Sequence, residues 1–486
     1  MANKIVKGFG WTTSSSLVRN IVSLLQITIL TRILAKSDFG TIAIANLFVS
    51  FTSMFLDMGI SVGIMYRQDT TKNEYSSLFW LNLFTGIFLT SVLFLLTPLL
   101  TKAYDSEDLN SVIRLLCFSI FINSLGAQQR TVCQKRFLFK RLALIEIISS
   151  IVTFAVAWIT ARKGFGVYSL AYSTLAGAVV NNLAHLTIGL LKDNRIGLHF
   201  NLKETFPYLK IGVYSIGSNI LDFFSRELDI IVVSATLGLE FLGIYSIAKK
   251  IPIVIYGFFS PIVSKVVTPF LAEINQSKEK VKENYLLITK GISWFAFPVY
   301  FLIAAAAPTE MQVVFGNEYV EGALVLSIFA IQYAFNSINT ICGSLQTALG
   351  RTDIGLYWTV YRIASTAVIY FVTAKFGITV FLMGILFHTF LNVVICWRMQ
   401  FYNMVKVSFK EYVSTFGLSF LFAGILCLVM GVLHYSPSLL YVVLCGVAVV
   451  VIFIFILLKT SEKEHIILFL QKTGIKVPKV FDSALQ

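Results

Sequence analysis

Charge is what this sequence has least of. Only 13% of its 486 residues are Asp, Glu, Lys or Arg, against 57% hydrophobic, whereas a soluble domain carries about 25% charged residues. No polar stretch between apolar runs exceeds roughly 25 residues, the scale of a linker or short tail, so no soluble domain is left over. Cysteine is scarce as well: Cys117, Cys133, Cys342, Cys396, Cys427 and Cys445 form no C-x-x-C pair and read as small buried hydrophobes. The chain has no Walker A sequence, no H-E-x-x-H and no paired-cysteine metal motif. No His stands beside the serines and threonines of the first apolar run to activate one. These absences argue against ATP-driven transport by this chain, metal-dependent catalysis and acyl transfer, and no cofactor is expected. A small-residue cleavage site is also missing after the basic lead Lys4 and Lys7, so the first apolar segment reads as a retained helix.

What is present is a series of apolar runs, each long enough to cross roughly 30 Å of hydrocarbon. They lie near 9–34, 40–65, 78–101, 111–132, 142–161, 165–191, 208–237, 241–268, 288–312, 322–349, 355–374, 377–400, 412–433 and 438–458. The expected fold class is an all-α integral membrane protein of about 14 transmembrane helices. The loops alternate in charge. One side carries Lys4, Lys7, Arg67, Lys72, the cluster Arg130, Lys135, Arg136, Lys140 and Arg141, and further cations through Lys192, Arg195, Lys203, Lys278, Arg351 and Lys410 to Lys479. The other side has Lys36, Lys102, Arg162, Lys163 and Lys375, with Asp105, Glu107, Asp108, Glu310, Glu318 and Glu321. Such a bias places the basic side and both termini in the cytoplasm. The net charge of +14 is then a matter of topology and lipid headgroups, not of nucleic acid.

One segment breaks the apolar rule. Ser215, Asn219, Asp222, Arg226 and Asp229 follow at spacings of four and three, so they share one face of a helix. Arg226 can pair with Asp222 or Asp229. Each charge at bilayer depth costs roughly 2.5–3.5 kcal/mol on insertion scales, so the stripe should face a cavity or a partner.

An internal repeat gives this stripe a counterpart. Leu34–Ala45 matches Leu237–Ala248 at an offset of 203 residues, Gly40 falling on Gly243. Six helices precede the second copy, so the halves share one orientation and a pseudo-two-fold axis along the membrane normal is predicted. The lobes are 1–206 and 207–405, followed by two accessory helices in 406–458 and a cytoplasmic tail, 459–486. At the same offset the stripe falls on Thr12, Ser16, Arg19, Ser23 and Gln26. Asn46, Ser50, Ser53 and Asp57 share a face of the second helix, and Lys249, followed by Lys250, falls on Asn46. These residues are expected to line a central cavity. Its cations are Arg19, Arg226, Lys249 and Lys250, and its anions Asp57, Asp222 and Asp229. Duller readings stand beside this one: a self-satisfied cluster for Asp222, Arg226 and Asp229, snorkelling for the two lysines, and a packing pair for His388 and Asn392.

The segments Leu30–Ala45 and Phe55–Ile60 resemble the start of bacterial polysaccharide exporters. Leu228–Ile231, Leu242–Lys249, Pro261–Pro269 with Glu273, and Thr347–Arg351 extend the resemblance over roughly residues 5–400. The family is that of the Wzx-type lipid-linked oligosaccharide flippases, in the branch that includes the colanic acid exporter. It belongs to the multidrug/oligosaccharidyl-lipid/polysaccharide flippase superfamily. The resemblance implies twelve helices in two six-helix lobes around a cationic cavity, here with two more, in the bacterial inner membrane. It implies an undecaprenyl-pyrophosphate-linked glycan as substrate, with membrane lipids and polysaccharide polymerase machinery as partners; since one chain already contains both lobes, a monomer is expected. Ser16, Ser23, Gln26, Asn219, Arg19, Arg226, Lys249 and Lys250 are the expected substrate contacts. Arg19 matches the family's phosphate-binding arginines in helix and depth, Arg226 and Lys249 only in kind. Asp222 and Asp229 depart from the family's cationic pattern and, with Asp57, point to gating or ion coupling, with H⁺, Na⁺ and the membrane potential all open. The rival readings are a cation-coupled multidrug antiporter of the same superfamily, whose cavity should be net acidic, and a glycan polymerase or ligase, for which the outward loops are too short.

Overall fold

The structure is a computed structural model that describes residues 2–67, 69–102, 104, 106–190 and 196–432. The apolar run 438–458, the tail 459–486, Cys445, Asp105, Lys192 and Arg195 lie outside the described residues, as do the side chains of Lys4, Lys7, Ser215 and Lys265.

Every element among the described residues is helical. In order they are α1 (Ala2–Leu30), α2 (Lys36–Ser53), α3 (Ile60–Tyr66), α4 (Lys72–Thr101), α5 (Glu107–Lys135), α6 (Phe139–Arg162), α7 (Tyr168–Ile188), α8 (Leu202–Thr236), α9 (Leu239–Glu273), α10 (Lys278–Glu310), α11 (Ala323–Ala348), α12 (Thr352–Ala374), α13 (Ile378–Cys396), α14 (Tyr402–Val405) and α15 (Phe409–Val432). A π-turn, Met311–Phe315, and a 3₁₀ turn, Asn317–Gly322, join α10 to α11. Helices prevail because hydrocarbon offers backbone groups no partner, and a helix satisfies them within one segment. Among the described residues, six segments are long and apolar enough to cross a membrane: Lys72–Thr101, Asp108–Lys135, Phe139–Arg162, Lys278–Phe315, Asn317–Ala348 and Ile378–Val405. Phe88, Leu95 and Leu99 on α4, Tyr357 and Val368 on α12, and Phe387 on α13 stand exposed, which suits lipid and not water.

The second apolar run, read as one helix over 40–65, is two. α2 ends at Ser53, and α3 begins at Ile60 after a turn in which Met58 and Gly59 have φ of 44° and 74°. Asp57 makes the new start. Its carboxylate accepts from the Ser61 amide at 3.1 Å and the Ser61 hydroxyl at 2.6 Å, a side-chain cap on the amides that open α3. So Asp57 does not share a helical face with Asn46, Ser50 and Ser53. Gly59 is required twice, by its left-handed φ and because an added Cβ would lie 2.1 Å from Gly212 Cα of α8.

By packing, the chain divides into two compact units, Met1–Ile247 and Ala248–Gln486; the lobes 1–206 and 207–405 above follow the repeat instead. In the first unit α1 packs on α6, α5 and α6 on α7, and α8 on α2, α3 and α4. In the second, α10 packs on α11 and α15, and α12 on α13. Phe297, Phe335, Phe416 and Phe420 form the aromatic centre of the second unit, with ring centroids 5.1–6.0 Å apart. Beside them, Ser293 donates to the Thr415 carbonyl at 2.7 Å.

The repeat appears as a physical contact inside the first unit. A Cβ built on Gly40 would lie 2.0 Å from the carbonyl oxygen of Leu239, and one on Gly243 1.9 Å from that of Lys36. Lys36 and Leu239 are themselves 203 residues apart in the sequence. The contact is therefore reciprocal between equivalent residues, as an isologous interface requires, and a local two-fold axis relates the first turns of α2 and α9.

At the aqueous start of α15, Lys282 Nζ of α10 lies 2.7 Å from Glu411 Oε1. The Ser408 amide also donates to Glu411 Oε2 at 2.7 Å. The Lys282 hydrogen bond, then those from the Ser408 amide and hydroxyl, pull the Glu411 carboxyl down to about 2 from its ordinary 4.5. A depressed carboxylate adds stability that is complete above its ordinary pKa and is lost as pH falls toward the folded value. The thermal midpoint of purified protein should therefore drop more between pH 5 and about pH 3 in wild type than in Glu411→Gln. An equal drop in both would show that the Lys282–Glu411 tie is not acid-sensitive.

Candidate functional site

The polar face of α1 meets a carboxylate that the sequence did not single out. Arg19 Nε lies 3.5 Å from Glu146 Oε2 of α6, and its Nη2 lies 3.4 Å from Ser16 Oγ. Ser15, buried, places its hydroxyl 3.2 Å from the same Glu146 oxygen and 3.1 Å from the Thr12 carbonyl. Arg19 stays 45% exposed and Glu146 28%, so the pair is half open and loosely held. Ser23 and Gln26, further along α1, are half-buried.

Arg130 lies on α5, which packs on α7. It reads as a loop cation in the sequence, but α5 continues through Lys135, so Arg130 stands within a helix. Its Nη2 donates to Asn181 Oδ1 of α7 at 2.5 Å. Lys135, at the end of α5, donates to the Ile64 carbonyl at 2.7 Å and to that of Arg67, which closes the C-terminal end of α3. Thr12, Ser15, Gln134, Lys135 and Glu146 help line a cavity of about 460 Å³ in the first unit.

The stripe on α8 is divided. Arg226 Nη2 pairs with Asp222 Oδ2 at 2.7 Å, and both side chains are well exposed, as is Asn219. Asp229, two turns from Asp222 on the same helical face, is buried and accepts a hydrogen bond from the Tyr245 hydroxyl of α9 at 2.8 Å. The turn from α8 into α9 brings Tyr245 back over that end of the helix. Asn46 and Ser50 of α2 are exposed.

Lys249 and Lys250 belong to the second unit, and both are half-buried. Lys249 Nζ sits 5.7 Å from the ring centroid of buried Phe329, within cation–π range. His388 of α13 is buried, with Nε2 2.9 Å from Ser365 Oγ of α12 and 3.2 Å from Asn392 Nδ2. Arg362, three residues before Ser365 on α12, is half-buried in an apolar helix.

Sequence reasoning missed Glu146, Arg362 and the place of Arg130. For Glu146 and Arg362 the available signal was an isolated charge inside an apolar run, which at membrane depth demands a partner without naming it.

The sequence profile of the polysaccharide biosynthesis protein family matches residues 29–324. The teichuronic acid biosynthesis protein TuaB of Bacillus subtilis is 25% identical over 364 residues, 74% of each chain. The lipopolysaccharide biosynthesis protein WzxC of Escherichia coli is 24% identical over 427 residues, 86% of this chain and 85% of that one. Among solved structures, the lipid II flippase MurJ in an inward closed conformation superposes with a TM-score of 0.72 at 15% identity, covering 91% of this chain and 97% of its own. That likeness concerns the fold, and with the apolar helices above it makes the chain a multi-pass membrane protein. The family profile spans more than half of the chain, and this protein belongs to the polysaccharide biosynthesis protein family.

Proposed function

We propose that this protein is a Wzx-type flippase. It carries undecaprenyl-pyrophosphate-linked oligosaccharide repeat units across the bacterial cytoplasmic membrane, for exopolysaccharide, capsule or O-antigen synthesis, by alternating access and without covalent catalysis. Both termini lie in the cytoplasm, as the loop charges require. The observation that carries this reading is Arg19: a guanidinium held in a polar, half-open face of an apolar helix, in a chain of a polysaccharide biosynthesis family. Relatives named for teichuronic acid and lipopolysaccharide biosynthesis support the substrate class.

The chemistry follows from that residue. A guanidinium presents planar, permanently charged donors that match phosphate oxygens. Arg226 and Lys249 are further phosphate contacts in this proposal, and Asp222 is the resting partner of Arg226. The sugars travel hydrated and the polyprenyl tail stays in lipid. An inside-negative potential favours outward movement of an anion by about 2.3 kcal/mol per charge per 100 mV.

The test is reconstitution. Purified protein in proteoliposomes should speed the appearance of a lipid-linked oligosaccharide in the opposite leaflet, read by a membrane-impermeant lectin. A rate equal to that of empty liposomes, together with uptake of a cationic dye, would replace this reading with a drug antiporter.

A further inference from the structure

The outward ends of the helices carry few cations, yet two of them meet. Lys102, next after the last residue of α4, and Arg114, two turns into α5, line one cavity of about 560 Å³ in the first unit, together with Thr101, Tyr104, Asn110 and Ser111. None of the described residues that line it is acidic. The bias that gathers cations at cytoplasmic helix ends does not account for this pair. Arg114 is half-buried, and its Nε is buried without a hydrogen-bond partner. Its guanidinium carbon lies 5.0 Å from the ring centroid of Phe94 on α4. A guanidinium held by a ring keeps N–H donors for another partner. Phe94 in turn meets Phe118, one turn deeper on α5 than Arg114, with ring centroids 6.5 Å apart. Phe94 and Phe118 are 37% and 49% exposed, and Leu95, beside Phe94, is 76% exposed. A cationic, polar cradle thus stands at the ends of α4 and α5, and an open apolar surface follows it toward the bilayer centre.

Charge first and hydrocarbon below is the order of groups in a phospholipid. We propose that this cavity holds the headgroup of an anionic phospholipid of the outer leaflet, with Lys102 and Arg114 on its phosphate and an acyl chain along Phe94 and Phe118. Basic pockets between membrane helices bind lipid phosphates by the same charge complementarity. A phosphodiester offers acceptor oxygens to both cations at once, and Tyr104, Asn110 and Ser111 supply hydroxyls and an amide for the rest of the headgroup. At roughly 30 Å³ per liquid water, the space admits a headgroup with its first waters. A free anion would use the two cations but not the rings beneath them. The Tyr104 hydroxyl also lies 3.2 Å from Ser234 Oγ of α8, so a lipid seated here braces the rim at which the α4–α5 connection meets α8. The proposal needs only a membrane-spanning chain and does not depend on what the protein carries.

Native mass spectrometry of the purified full-length protein, titrated in detergent with phosphatidylglycerol or with phosphatidylcholine, tests this. Wild type should retain one phosphatidylglycerol under conditions that strip phosphatidylcholine. Lys102→Gln and Arg114→Gln should each weaken phosphatidylglycerol at least about tenfold. Lys163→Gln removes the same charge from an outward cation that does not line the cavity, and it should leave binding unchanged. Phe94→Ala, which removes the ring under Arg114 and part of the chain surface, should also weaken the lipid. If Arg114→Gln does not fold, Arg114→Lys, which keeps the charge and loses the planar fork, should bind more weakly than wild type by a smaller factor. Equal retention of the two lipids, or equal binding in Lys102→Gln and Lys163→Gln, overturns the site. Millimolar inorganic phosphate should not displace the lipid. Displacement by phosphate, with unchanged lipid binding in Phe94→Ala, would make the cavity a site for free anions and end the lipid assignment.

Discussion

Arg19→Ala should cut polysaccharide export to a few per cent of wild type or less in a strain lacking its own exporter, with membrane abundance matched. A hydrogen bond to a charged group contributes about 1.5–3 kcal/mol, and every 1.4 kcal/mol is a factor of ten. One phosphate contact therefore accounts for roughly tenfold to a hundredfold. Alanine also leaves Glu146 facing the open site with its nearest cation gone, so an anionic substrate meets a carboxylate where it met a guanidinium. Arg19→Lys should keep part of the activity, because it retains the charge but loses the planar fork. A purely structural role for Arg19 predicts something else: loss of folded protein in Arg19→Ala, reversed by Glu146→Ala, with no gain in export beyond the gain in abundance. Full export from Arg19→Ala at equal abundance would remove Arg19 from the substrate path.

Which parts of this architecture could be read from the chain depends on the range of the signal. Apolar runs announce their helices locally, and apart from 438–458, outside the described residues, each run read from the sequence is occupied by helix. The break between α2 and α3 escaped because Asp57 continues the four-and-three rhythm of Asn46, Ser50 and Ser53. The clue lay in Asp57-Met58-Gly59 followed by Ser61, a cap signature inside an apolar run. On α8 the spacing placed Asp229 on the right helical face. It could not show that Tyr245, across the turn into α9, covers that end of the face. Glu146 was illegible for a different reason: Ser15 and Glu146 are 131 residues apart, and no local pattern marks a lone acid in α6 as the partner of α1. Arg130 sat in a run of cations that topology alone accounts for. A partner on another helix, Asn181, is what sets it apart.

The glycines of the repeat give the second large effect. Gly243→Val and Gly40→Val should each strip the protein of most of its folded yield or lower its thermal midpoint sharply. The Cβ of either variant would lie 1.9 Å or 2.0 Å from a backbone carbonyl oxygen, and a backbone cannot rotate aside as a side chain can. Overpacking of this kind costs typically 1–3 kcal/mol, and in membranes small residues are what let two helices approach this closely. Gly217→Ala is the control: nothing lies within 4 Å of a Cβ there, so it should be neutral or slightly stabilising. The reciprocity of the contact makes a sharper demand. Gly40 meets the Leu239 carbonyl and Gly243 the Lys36 carbonyl, so each substitution pushes α2 and α9 apart at the same crossing. Once one has separated the helices, the second meets less resistance. The double variant Gly40→Ala/Gly243→Ala should therefore lose less stability than the sum of the two single variants, as neighbours that share a displacement do. Strict additivity would mean that the two glycines act at separate places. The duplicated halves would then not meet at the local two-fold axis between α2 and α9.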